Sequence, residues 1–222
     1  MHSASVFIAP VLALALALAA LPAVAAHRVI APTDGAVVTE PGVRYIRVGS
    51  QDTLKVTLNG APVAVSRAGD AFTGRLELQP GRNLLVADGG PGDITRLTVV
   101  FDPKAAKDVY RYHEPLLEGD CKECHPKGVG RTAVVEAKLC RTCHDPKEGA
   151  RYLHGPIGAG QCTVCHDPHG GSRGGFLRLP VRELCRTCHD QNGSKAHMER
   201  AGARLCTECH DPHGSGKQYL LY

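Results

Sequence analysis

Cys-x-x-Cys-His occurs five times in this chain, at Cys121-Cys124-His125, Cys140-Cys143-His144, Cys162-Cys165-His166, Cys185-Cys188-His189 and Cys206-Cys209-His210, and the five copies use all ten cysteines. Nothing else in the sequence restricts the fold as strongly. Two thiols three residues apart share one turn of chain, and the histidine beside them aims at the same point. A single Cys-x-x-Cys is ambiguous, since redox dithiols and zinc sites also use it. Zinc sites take such units two by two, which leaves one of five over and does not account for the His after every second Cys. A disulfide framework does not account for the His either. Attachment of c-type haem accounts for every copy: the two thiols add to the two vinyl groups of one porphyrin, and the His faces the iron as proximal ligand. Five covalent haem c groups are therefore expected.

That expectation answers a folding problem. Only 18 of the residues from 104 to 222 are Leu, Ile, Val or Phe, too few for an ordinary packed core. A stretch so poor in apolar side chains stays disordered by itself. Five apolar macrocycles held by thioether bonds supply the missing core, so this region is expected to be unfolded without haem, as small metal domains are without their ion.

The remaining histidines fit the same reading. Of 12 His, His2 and His27 lie at the N-terminus and five are proximal. The other five, His113, His154, His169, His197 and His213, give one spare His per haem and are candidate sixth ligands. His113 and His154 share the pattern His-x-Pro-x-x-x-Gly-x-Cys, and His197 stands in a looser version of that placement before Cys206. His169 and His213 each end a Cys-His-Asp-Pro-His run. His169 lies too close to His166 to reach the opposite face of the same haem, so as a ligand it belongs to a neighbouring one. Met198 is the one methionine outside the N-terminal segment, so at most one haem is His/Met. Mostly bis-His ligation with low potentials follows. Which spare His serves which iron stays open.

The rest of the chain has a different grammar. Residues 1–26 read as a secretory signal peptide: an apolar Leu/Ala run from Val6 to Ala20, then small residues and a cut after Ala25 or Ala26. The run is short for a membrane span, and no second one exists, so no span is expected after cleavage. Residues 27–103 hold no cysteine and read as a small all-β domain. Leu54, Val56 and Leu58 alternate with polar residues, Asn59-Gly60 turns the chain toward Val63 and Val65, and Leu76 with Leu78, Leu84 to Val86 and Leu97 to Phe101 complete the series. Pro80-Gly81, Asp88-Gly89-Gly90 and Pro91-Gly92 mark turns between them. Short strands so spaced suggest a β-sandwich. The expected architecture is thus a small Ig-like sandwich followed, over 104–222, by a haem-packed, mostly irregular domain with short helices.

Basic and acidic residues balance over 27–103 (8 each), so the formal charge of +4 arises in 104–222, which has 18 basic and 14 acidic. The basic residues are dispersed and not interleaved with aromatics, so nucleic acid is not an expected partner.

Two resemblances extend this reading. Leu-Gln-Pro-Gly-Arg-Asn-Leu-Leu-Val-Ala-Asp-Gly, within Leu76 to Phe101, resembles the closing strands of bacterial immunoglobulin-like domains, which implies a fold rather than an activity. Leu-Cys-Arg-Thr-Cys-His-Asp at 139–145 and again at 184–190, alternating with Gly-x-Cys-x-x-Cys-His sites, forms a unit that repeats after roughly 41 to 45 residues. It resembles the doubled Cys-x-x-Cys-His family of multihaem cytochromes over residues 113 to 214. That resemblance implies a periplasmic or cell-surface electron carrier, with redox proteins such as other multihaem cytochromes as partners. The first site departs from the family pattern: Cys-His-Pro-Lys-Gly at 124–128 lacks the second His, which leaves the source of one sixth ligand open. An electron carrier without substrate chemistry is the expected function. The alternatives are a multihaem reductase with one open iron, and a subunit of a cytochrome filament or surface complex, so oligomeric state is left open.

Overall fold

The structure is a computed structural model that describes residues 28–49, 52–118, 121–125, 137–146, 149–189 and 195–222. The expected signal peptide lies outside the described residues. Nine strands form the N-terminal domain: β1 (Arg28–Ala31), β2 (Ala36–Val38), β3 (Gly42–Val48), β4 (Lys55–Leu58), β5 (Ala61–Val63), β6 (Val65–Ala68), β7 (Ala71–Glu77), β8 (Gly81–Asp88) and β9 (Ile94–Phe101). They make two sheets, in the orders β1-β3-β7-β6 and β2-β9-β8-β4-β5. This is the two-sheet β-sandwich that the alternating pattern implied.

Each inner face follows from the period of two. Val56 and Leu58 on β4, Leu85 and Ala87 on β8, and Leu97 and Val99 on β9 are buried against Tyr45, Phe72 and Leu76 of the other sheet. The β4–β5 hairpin turns at Asn59 and Gly60, whose φ values of 52° and 85° are the left-handed pair that a two-residue turn requires. Asn59 also fixes the turn to β8: its Oδ1 accepts from Leu84 N at 2.8 Å, and its Nδ2 donates to the buried Asn83 Oδ1 at 2.9 Å. Two features depart from the expected strands. Val63 and Val65 end up in different sheets, because the chain crosses between layers at Ala64. Strands β1 to β3 were not expected, and β3 explains why. It buries Tyr45, Ile46 and Arg47 in succession, which breaks the alternation, and the Arg47 guanidinium is neutralised inside the domain by Asp93.

After β9 the character changes. Beyond Tyr110, Ile157 is the one buried apolar side chain among the described residues. The backbone there forms two two-residue ladders: β10 (Arg111–Tyr112) pairs antiparallel with β12 (Gly170–Gly171), and β11 (Tyr152–Leu153) with β13 (Gly214–Ser215). Between them lie short helices α1 (Glu114–Glu118), α2 (Cys121–Cys124), α3 (Ala137–Cys140), α4 (Gly155–Gly158), α5 (Val181–His189) and α6 (Lys195–Ala201). A mostly irregular, cysteine-rich region with short helices therefore follows the sandwich.

The two parts are joined by more than a linker. Tyr110 belongs to the sandwich core, and its N–H donates to Val37 O at 2.7 Å. The Tyr112 hydroxyl donates to Arg44 O at 2.6 Å, and Arg44 Nη1 donates to Leu116 O at 2.5 Å. The sandwich thus holds β10, and with it the backbone entering His113.

Candidate haem sites

Each Cys-x-x-Cys-His run is wound into a single turn. His125 N–H donates to Cys121 O at 2.8 Å, His144 to Cys140 O at 2.9 Å, His166 to Cys162 O at 3.1 Å and His210 to Cys206 O at 3.0 Å. One turn sets both thiols and the imidazole on the same side of the chain. All ten cysteines are free thiols, half-buried or exposed.

The ten candidate ligand histidines fall into five ring pairs, each made of one motif His and one spare His. His113 faces His144 with ring centroids 6.0 Å apart and planes 22° from parallel. His125 faces His169 at 6.2 Å and 13°. His154 faces His189, and His166 faces His213, both at 6.0 Å and 22°. His197 faces His210 at 5.9 Å, with planes crossed at 70°. A metal held about 2 Å from a nitrogen of each ring leaves the two centroids about 6 Å apart. Among the described residues no three His, Cys, Asp or Glu side chains converge on a metal position. Two axial rings fit an iron whose other four ligands come from a porphyrin.

The second ring nitrogen decides which nitrogen is free to ligate. His154 Nδ1 lies 2.8 Å from Pro212 O, His166 Nδ1 2.5 Å from Gly175 O, and His210 Nδ1 2.7 Å from Tyr219 O. A carbonyl can only accept, so each Nδ1 carries the proton and each Nε2 keeps its lone pair. His169 Nδ1 meets the Asp167 carboxylate at 3.0 Å, with the same consequence. Burial pushes His125 below the ordinary histidine value and favours the neutral, ligating imidazole. Burial pushes Asp167 up, but hydrogen bonds from His169 and the charge of Arg178 outweigh it and hold the carboxyl below its ordinary value.

The spare histidines are placed by the internal repeat. His113 follows β10 and donates its N–H to His169 O at 3.2 Å; His154 follows β11 and donates to His213 O at 3.1 Å. Each ladder thus fixes two spare histidines, belonging to two different pairs, by a shared backbone bond. His169, whose position argued for a neighbouring haem, faces His125 of the first motif. The first site, which lacks a local second His, therefore has a partner ring after all.

Some motifs also approach one another: the Cys140 thiol lies beside Cys162, and the Cys185 thiol beside Cys206. A cleft of about 900 Å³ lies elsewhere, between the sandwich and β10, lined by Arg44, Arg75, Arg111 and Leu117. It contains none of the ring pairs.

The carbonyl partners of Nδ1 were not found by sequence reasoning, since a backbone oxygen leaves no residue signature. Asp167 did leave one, because Cys-His-Asp-Pro-His recurs at 165–169 and 209–213.

Residues 154–194 match the family described as "Doubled CXXCH motif". This segment begins at His154 and contains two complete motifs, Cys162–His166 and Cys185–His189. It supports covalent haem c attachment through Cys-x-x-Cys-His and a multihaem cytochrome of the electron-carrier kind. No curated protein matches the chain. Among solved structures, it is similar to an FMN-binding β-glucuronidase from Facaelibacterium prausnitzii L2-6 at 21% identity and a TM-score of 0.30, covering 32% of this chain and 11% of that one. A polysaccharide lyase matches at 14% identity and a TM-score of 0.30, covering 60% and 18%, respectively. Tandem Ig repeats of Dlar match at 16% identity and a TM-score of 0.25, covering 39% and 53%. The chain thus spans about half or less of the length of each of these structures.

Proposed function

We propose that this multihaem cytochrome is an exported electron carrier with five haem c groups, each iron held between the two rings of one histidine pair. The observation that supports this most directly is the pairing itself: every motif His faces a different spare His at 5.9 to 6.2 Å. In this reading Cys121, Cys124, Cys140, Cys143, Cys162, Cys165, Cys185, Cys188, Cys206 and Cys209 form the thioether bonds. The irons would be held by His125 with His169, His144 with His113, His166 with His213, His189 with His154 and His210 with His197. Bound haem supplies an iron that cycles between ferrous and ferric forms.

The chain's own contribution is to place and insulate these irons. The loops from His166 to His169 and from His210 to His213 each carry ligands of two different sites, which holds neighbouring haems close enough for electron hopping. The Nδ1 acceptors orient the rings and make them better donors to iron. With both axial positions taken by imidazole there is no place for a substrate, which favours a carrier over a reductase. The charge-bearing partners are expected to be other redox proteins, met outside the cytoplasm where c-type haem is attached. Intact mass of the purified holoprotein is the test. Five haem additions per chain support the proposal, and fewer sink it.

A further inference from the structure

Building on that reading, we infer that the five sites are of two electronic kinds, and that the fifth, held by His197 and His210, is the most easily reduced and collects electrons within the array. Four ring pairs have planes 13° to 22° apart, whereas His197 and His210 cross at 70°. The local fold explains the exception. His113 and His154 leave β10 and β11, whose ladders repeat almost identically, and the pairs at 113/144 and 154/189 have the same separation and angle. The third spare His that precedes a motif, His197, is carried by α6 instead of a strand. Its ring therefore approaches from another direction.

The crossing changes the iron. An imidazole donates π-density into the iron d orbital that lies perpendicular to its ring. Parallel rings raise one such orbital and leave the other, and the single hole of low-spin ferric iron settles in the raised one, which stabilises the ferric state. Crossed rings raise both equally, so that stabilisation is lost and the ferrous state is relatively favoured. Solvent exposure of the motif does not distinguish this site, because Cys143 and His144 of the second site and Cys188 and His189 of the fourth are exposed as well. Its ligand arrangement does. It is also the last of the five along the sequence.

The test is a reductive titration of the fully oxidised holoprotein followed by electron paramagnetic resonance, repeated on His197→Ala and on His154→Ala. The expected wild-type spectrum has one low-spin signal in five with a markedly larger maximal g value, because near-degenerate d orbitals give large anisotropy. That signal should disappear first on reduction. It should be replaced by a high-spin signal in His197→Ala and be retained in His154→Ala, which loses an ordinary low-spin signal instead. Five signals of equal anisotropy, a large-g signal that survives His197→Ala, or one that is reduced after the others would overturn the inference. Fewer than five haems, or no low-spin ferric signal, would instead refute the proposed function on which it rests.

Discussion

The rings of His125 and His169 lie 6.2 Å apart and 13° from parallel, although the motifs at 140–144 and 162–166 both intervene between them along the chain. In the proposed arrangement the first haem site thus takes its second ring from the loop that follows the third motif. Replacing His169 with Ala is expected to leave all five haems attached, since no thiol is touched, and to convert one haem in five to a high-spin form. Haem quantitation with the ferric absorption spectrum checks both parts, and an unchanged low-spin spectrum would mean that His169 is not a ligand.

Gly170 makes that long-range placement possible. It has a φ of +139°, and a Cβ there would collide with Arg111 O and come within 3.0 Å of Tyr112 Cα. Gly170→Ala should therefore open the β10–β12 ladder at a cost of about 1–3 kcal/mol. Because the ladder positions both His113 and His169, low-spin character should fall at two sites together. A variant that loses only one would show that the ladder does not couple them.

The sandwich carries its own vulnerable point. Arg47 is fully buried and paired with Asp93. Asp93→Ala leaves that charge uncompensated and should cost about 3–5 kcal/mol, read as a lowered denaturation midpoint of the β-domain. The absorption spectrum of the haems should not change while the variant remains folded, because Arg47 faces into the sandwich core.

Burial raises the phenols of Tyr45 and Tyr110 well above their ordinary value of 10.0. The unfolded chain releases these protons near pH 10 while the folded chain keeps them, so above that point the folded state binds more protons and stability falls as pH rises. The expected slope is about 1.4 kcal/mol per pH unit for each tyrosine. Alkaline titration followed by circular dichroism and phenolate absorbance should show unfolding and ionisation together. Ionisation of either phenol without unfolding would contradict their burial.

The motifs that attach haem c were legible in the sequence because such a site is local, with three residues on one turn. The inward faces of β4, β8 and β9 were legible for the same kind of reason, a period of two along a short strand. The pairing of spare with motif histidines was not, because it depends on ladders such as Tyr112 against Gly170 that join residues far apart in sequence. His113 precedes Cys121 closely yet faces His144. Strand β3 escaped notice because Arg47 occupies an inward position where an apolar residue is expected.

The central claim is that every iron is held by two protein imidazoles. It is tested most directly by the absorption spectrum of the dithionite-reduced holoprotein before and after addition of carbon monoxide. With five closed sites the spectrum is expected to stay the same. A shift in one haem's worth of absorbance would show an open or weakly held iron, contradict the five-pair account and favour reductase chemistry at that site.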